Sequence, residues 1–154
     1  MRILFVNLNR EVSPFPVAPI GALFVASAAQ QAGHYVDFLD LTFKVFPQAS
    51  LKKQLRRNKY DLVAFSIRNL DNCSYCSPKS YIEEIRSFTA IVRQYTSVPL
   101  APVKWQDALD AQFGVVGEEY TIFPELLAKI EAGAVVMFLG VRLLQGRSRL
   151  KKDQ

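Results

Sequence analysis

Leu62-Val-Ala-Phe-Ser66 is a short apolar run with no polar residue alternating through it, and Ile3-Leu-Phe-Val6 near the start of the chain has the same character. A strand with one wet face alternates apolar and polar side chains, whereas a strand covered on both faces does not. Both runs therefore read as strands of a parallel sheet sandwiched between helices. The sequence between them supplies the crossovers: a helical stretch from about Ala18 to Ala32, a second strand from Tyr35 to Leu39, and a polar helical stretch from about Ser50 to Lys59. Gly33 follows the first of these helices, where a residue free to take left-handed backbone closes the last turn.

Beyond Ser66 comes a polar loop, and Ser77-Pro78 then reads as the opening of a long helix, since proline at the first helical position sacrifices no hydrogen bond. Ile82, Ile85, Phe88, Val92 and Tyr95 recur at three- and four-residue steps, so this helix lays one apolar face on the sheet. Val98 to Val103 and Phe113 to Val116 are candidates for a fourth and a fifth strand, followed by a helix from about Thr121 to Glu131. Only Lys104 to Gln112 separate the two candidates, less than a crossover between parallel strands normally takes. Pro102 also removes a ladder donor from the fourth. Either the helix over Lys104 to Asp110 is a stub or the fourth strand is poorly formed. The fold class that follows is α/β: a Rossmann-like parallel sheet of flavodoxin-like order with helices on both faces, shortened around its fourth strand.

The chain has 154 residues, half of them hydrophobic, enough for one substantial core. Its formal net charge is +5, but the stretch from Arg142 onward contributes +4 of this, leaving residues 1–141 close to neutral. The basicity therefore reads as a solvated tail, with no nucleic acid and no membrane expected as partners. Ile3 to Val6 is too short for the apolar region of a signal peptide, and Ala134 to Val141 falls well below the ~20 residues that span a bilayer. A cytoplasmic location is the expectation. Two cysteines build no disulfide framework and stay as thiols in a reducing compartment.

In an open parallel sheet ligands bind beyond the carboxyl ends of the strands, where the strand order reverses. For a flavodoxin-like order that point lies between the first and third strands. The loops leaving them are Asn7-Leu-Asn-Arg-Glu-Val-Ser-Pro-Phe-Pro16 and Ile67-Arg-Asn-Leu-Asp-Asn72. Arg68, Asn69, Asp71 and Asn72 offer amide donors and acceptors and one fixed cationic fork, chemistry suited to a ligand bearing amides and a phosphate. Asn and Asp also stabilise loops by bonding their own backbone, which is the competing reading. No glycine-rich phosphate loop follows the first strand, which argues against a nicotinamide or flavin dinucleotide.

Taken together, Met1-Arg-Ile-Leu-Phe-Val-Asn7, Pro19-Ile-Gly21, Ala32-Gly-His34, Ser66-Ile-Arg-Asn-Leu-Asp-Asn72, Ser77-Pro-Lys-Ser-Tyr81 and Phe113-Gly-Val-Val-Gly-Glu118 resemble, in order and spacing, the N-terminal cobalamin-binding domain of B12-dependent radical SAM enzymes. The resemblance covers residues 1–132 and leaves 133–154 as a basic C-terminal extension, expected to be partly disordered. It implies a corrinoid held at the carboxyl ends of the strands. By position, Asn7 and Pro16 would line the first loop, Ser66, Arg68, Asn69 and Asn72 the third, and Gly117 and Glu118 the fifth. For Glu118, a carboxylate favouring the N-terminus of the following helix is an equal reading. Two departures stand out. The glycine-rich loop usual after the fourth strand is missing, since Pro99-Leu-Ala-Pro-Val103 runs almost directly into Trp105-Gln-Asp-Ala-Leu109. The radical SAM barrel is missing as well.

The radical SAM cluster needs cysteines spaced C-x3-C-x2-C, and the chain offers only Cys73-Ser-Tyr-Cys76, so no iron–sulfur cluster is expected in it. That pair reads as structural thiols, with a redox couple as the alternative. His34 lacks the D-x-H-x-x-G setting of a cobalt ligand and reads as a helix-end histidine. Trp105 reads as core. The functional expectation is a cobalamin-binding module, catalytically incomplete alone, whose cofactor is the corrinoid and whose further partner is a radical SAM or other protein. A non-catalytic interaction domain, which would show an exposed apolar patch and self-association, and a C-x2-C redox protein are the alternatives.

Overall fold

The computed structural model of the protein describes residues 1–72, 76–103, 119–133, 136–139 and 142–145. Four parallel strands, β1 (Arg2–Asn7), β2 (Tyr35–Asp40), β3 (Leu62–Ser66) and β4 (Leu100–Val103), form one sheet in the order β2-β1-β3-β4. Asn7 at the end of β1 is level with Asp40 on one side and Ser66 on the other, and Ser66 is level with Val103. The four carboxyl ends thus make one continuous edge, and the strand order reverses between β1 and β3, as expected for this class.

Helices α1 (Ile20–Gln31), α2 (Pro47–Arg57), α3 (Ile82–Tyr95) and α4 (Glu119–Glu131) cover the sheet. Alternate strand residues feed two cores. Ile3, Phe5, Leu62, Ala64 and Ala101 pack with Val25 and Ala29 of α1 and Phe123 and Leu127 of α4, while Leu4, Val6, Val63 and Phe65 pack with Leu51 of α2 and Ile85, Phe88 and Val92 of α3. Phe5 stacks on Phe38 at 5.9 Å between ring centroids and meets Phe123 edge-on at 5.7 Å. Two-sided burial is what removed the polar alternation from β1 and β3.

Several boundaries differ from the sequence reading. α2 begins at Pro47, three residues before the expected start, because Pro47 occupies the first turn and the Ser50 hydroxyl donates back to the Phe46 carbonyl at 3.0 Å. α3 begins at Ile82, so Ser77-Pro78 does not open it. The backbone there is bound elsewhere: Asn72 N–H donates to Lys79 O at 3.0 Å, Tyr81 N–H to Leu70 O at 2.7 Å, and Asp71 bridges Ser80 in an antiparallel contact. β4 does form despite Pro102, and it lies at the edge of the sheet among the described residues, where proline is tolerated. Gly33 and Gly133 take positive φ (90° and 72°) just past α1 and α4. In the extension, β5 (Val136–Leu139) and β6 (Arg142–Gln145) pair antiparallel, so this part carries strand structure. The expected helix over 104–110 and strand over 113–116 lie outside the described residues.

Candidate functional site

A cavity of ≈ 320 Å³ opens at the carboxyl edge of the sheet, between the loop after β1, the start of α1 and the loop after β3. Asn7, Asn9, Ser66 and Arg68 give it a polar wall, and Val17, Ala18, Ile20, Ala22 and Val25 an apolar one. Helix α1 begins here with no side-chain cap and no acidic residue in its first turn. The Ile20 N–H is taken by Ala18 O at 2.8 Å, so it is the N–H groups of Gly21 and Ala22 that favour a negative or hydrogen-bond-accepting ligand group. Gly21 also lines the cavity, and a Cβ placed on it would meet nothing within 4 Å among the described residues.

The residues singled out from the sequence separate into different roles. Asn7 is 2 % exposed and its amide is committed: Nδ2 donates to Asp40 Oδ1 at 2.9 Å and to Thr42 Oγ1 at 3.2 Å, and Oδ1 accepts the Asn9 N–H at 3.4 Å. Asn72 is likewise engaged in its own loop, donating to Ser77 O at 2.8 Å and accepting the Lys79 N–H at 2.9 Å. Ser66 ends β3 at the cavity, its carbonyl accepting the Leu8 N–H at 3.0 Å. Arg68 is exposed and Asn69 half-buried, and among the described residues neither side chain has a hydrogen-bond or ion-pair partner. Pro16 is exposed and stands outside the cavity lining, which begins one residue later at Val17. Gly117, Glu118, Cys73 and Trp105 lie outside the described residues, and Cys76 is an exposed thiol.

Two carboxylates, a phenol and an arginine brace this edge. Partial burial works against ionisation of Asp40, but hydrogen bonds from the Thr42 N–H, the Thr42 hydroxyl and Asn7 outweigh it and hold the carboxyl below its ordinary range. Glu11 accepts a hydrogen bond from the Tyr81 hydroxyl, which together with the Ser13 N–H lowers its carboxyl. Burial first, and then the Glu11 carboxylate, push the Tyr81 phenol up to about 12. Arg10 links neighbouring loops by donating from Nη1 to Leu41 O at 2.8 Å and Lys44 O at 2.7 Å, and its Nε lies 3.4 Å from Glu84. The loop after β1 is thereby fastened on both sides.

Asn9, Ala22 and Val25 were not anticipated. Their signal was faint, because it required knowing that the start of α1 folds back over the edge of β1. His34 sits at the opposite end of the sheet, its Nδ1 3.3 Å from the Met1 amino group and 3.5 Å from Glu131. The six residues of β2 separate it from the cavity, a rise of about 20 Å. Among the described residues no three His, Cys, Asp or Glu gather as a metal site. The chemistry on offer is binding: one cation, amides, a hydroxyl and helix N–H groups against an apolar wall.

Fold and cavity together define a Rossmann-like α/β domain with a ligand-sized cleft at its topological switch point. The sequence matches no protein-family model and no curated protein. Solved structures do match. One is the radical S-adenosylmethionine methyltransferase TsrM from Kitasatospora setae with its tryptophan substrate and a SAM analog bound, at TM-score 0.75 and 24% identity. Another is the same enzyme with cobalamin and a [4Fe-4S] cluster bound, at TM-score 0.74 and 24% identity. Each match covers 86% of this chain and 26% of the enzyme, so the chain spans about a quarter of that enzyme's length. At this identity the likeness establishes the fold.

Proposed function

We propose that the chain is a cobalamin-binding module, catalytically incomplete alone, that works with a radical SAM or other protein. The observation that carries this reading is the two-walled cavity at the β1–β3 switch point, with the side chain of Arg68 uncommitted in its lining and that of Asn69, the next residue along the loop, uncommitted among the described residues. A corrinoid has the matching chemistry, an apolar macrocycle fringed with amides and a nucleotide tail bearing a phosphate. A neighbouring structure that holds cobalamin supports the same choice. The residues fit the group. Ser66 and Gly21 let the backbone approach the tail, Arg68 and Asn69 hydrogen-bond amides or phosphate, and Asn7 and Asn72 hold the two loops in place. Pro16 belongs to the first loop, and Gly117 and Glu118 are carried as fifth-loop contacts. Bound cobalamin supplies a cobalt centre able to carry a methyl group. The chain supplies the binding, and no iron–sulfur cluster is assigned to it; the working location is the cytoplasm.

The test is direct. Purified protein is mixed with hydroxocobalamin, freed of excess ligand and examined by visible absorption and thermal melting. A retained corrin spectrum with a raised melting temperature is expected; a colourless protein whose melting temperature does not move at saturating ligand refutes the reading.

A second reading is favoured by a separate observation. Phe15 and Phe24 are 78% and 63% exposed, on the first loop and α1, beside Val12, Val17, Ile20 and Leu23. An interaction domain that keeps the fold without the cofactor would bury this patch by self-association. Light scattering separates the two: a colourless protein that dimerises supports the second reading, and a strictly monomeric one removes it.

A further inference from the structure

The near-neutral sum over residues 1–141 conceals a segregation of charge. Residues 41–60 hold six cations, Lys44, Lys52, Lys53, Arg56, Arg57 and Lys59, and no carboxylate, against eight cations and thirteen carboxylates in the rest of 1–141. None of the six makes an ion pair among the described residues; Arg56 alone has a side-chain partner there, donating to the Tyr95 hydroxyl at 2.8 Å. The carboxylates of the first turn of neighbouring α3 are taken, Glu84 by Arg10 and Glu83 by Arg86.

Directly before this helix stand Phe43, Val45 and Phe46, exposed by 71%, 82% and 74%. Phe46, Lys53 and Arg57 are spaced seven and four residues apart, which puts them on one helical face. That face is solvent-exposed, while Leu51 on the other side is fully buried. The tip is also held in shape. Arg10 fastens the Leu41 and Lys44 carbonyls, and the Thr42 N–H donates to Asp40 at 3.0 Å. The apolar side of α2 is committed to the core, so the apolar tip supplies the inserting element and the unpaired basic face the attraction to a charged bilayer.

We propose that the Phe43–Phe46 tip and the basic face of α2 form a docking surface for an anionic lipid membrane, the tip entering the interface and the cations lying over the headgroups. The absence of a membrane partner expected from the sequence rested on spanning length and on the tail, and neither bears on this surface. Charge complementarity selects the occupant. A second copy docked through the same face would set cations against cations. A nucleic acid would use the phenylalanines for stacking but has no use for Val45, the most exposed of the three. Side chains more than two-thirds exposed stand out from the surface, which suits a fluid interface better than the half-packed anchors of a protein contact.

The experiment is co-sedimentation of the full chain with phosphatidylcholine vesicles, with and without phosphatidylserine. Binding is expected only where phosphatidylserine is present, and it should weaken with added salt. K53Q/R57Q is expected to weaken it about 25-fold, taking roughly a fivefold loss per basic residue. F43S/V45S/F46S is expected to weaken it roughly tenfold or more at unchanged charge. These side chains are exposed, so both variants should melt with the wild type, and melting curves verify this. No binding to either vesicle, equal binding to both, or binding indifferent to the tip overturns the proposal. A tip-dependent complex with single-stranded RNA in place of vesicles overturns it too.

Discussion

Gly21 separates a glycine kept for packing from one kept for a ligand. It is the second residue of α1 and lines the cavity, and a Cβ there would meet no atom of the described residues within 4 Å. Nothing among the described residues therefore requires glycine at this position. Gly21→Ala removes unfolded-state freedom at no steric cost and should raise stability by about 0.5 kcal/mol. For a chain of this size that is a rise in melting temperature of roughly 1–2 °C. Gly21→Phe should leave the melting temperature near that of the wild type, because Gly21 is exposed at the cavity and its Cβ position is clear of the described residues. It fills room that the proposed corrinoid tail needs, so retention of hydroxocobalamin should fall at least about tenfold, the effect of losing only ~1.4 kcal/mol of contact. Paired melting curves and spectral titrations of the three proteins read both effects. If Gly21→Phe binds cobalamin as tightly as the wild type, the cavity is not where the ligand sits. If Gly21→Ala instead melts lower, the space inferred beside α1 is wrong.

Arg68→Ala should melt with the wild type, since its side chain has no partner among the described residues, yet weaken cobalamin retention about tenfold or more through loss of a charged hydrogen bond; unchanged retention by spectral titration refutes its role. Asn7→Asp places a second carboxylate against Asp40 and should cost about 2 kcal/mol or more by urea unfolding at neutral pH. The wild-type Asp40 contribution is present above the unfolded carboxyl value and is lost as pH falls through the lower folded one. The variant's penalty should therefore shrink near about pH 4, where one of the two carboxyls takes a proton; a penalty independent of pH refutes the electrostatic account. Tyr81 and Tyr60 both have phenols raised from near 10 to about 12, Tyr60 chiefly by burial and then by its hydrogen bond to Asp37. Their contribution is intact below pH 10 and is lost as pH rises towards 12, so Tyr81→Phe should flatten that part of the melting-temperature profile. An unaltered alkaline profile counts against it.

The strands were legible because two-sided burial leaves a local mark. β3 matches its apolar run residue for residue, and β1 extends its run by Arg2 and Asn7 at the ends. Gly33 was legible for a similarly local reason, the left-handed backbone at a helix end. The start of α3 was not. Ser77-Pro78 looks the same whether it opens a helix or crosses a loop, and the difference is made by the Tyr81 N–H donating to Leu70 O and the Asn72 N–H donating to Lys79 O, from residues several positions away. Pro47 carried the signal for α2 but stands among apolar loop residues that masked it.

The site shows the same division at the level of single side chains. In sequence, Asn7, Asn69 and Asn72 are equivalent, each a polar amide in a loop at a favourable edge. Their roles diverge through partners that only the fold brings near. Asp40 and Thr42 arrive beside Asn7 because β2 aligns with β1, and Lys79 arrives beside Asn72 because the loop doubles back. Once those amides are bound, they can shape a ligand's pocket but cannot also be its main donors. On the proposed reading, recognition would fall on Arg68 and Asn69 on one side and on the opening N–H groups of α1 on the other, beside the apolar side chains of Val17 to Val25. The proposed corrinoid, apolar in its macrocycle and rich in amides and phosphate around it, would satisfy both sides at once.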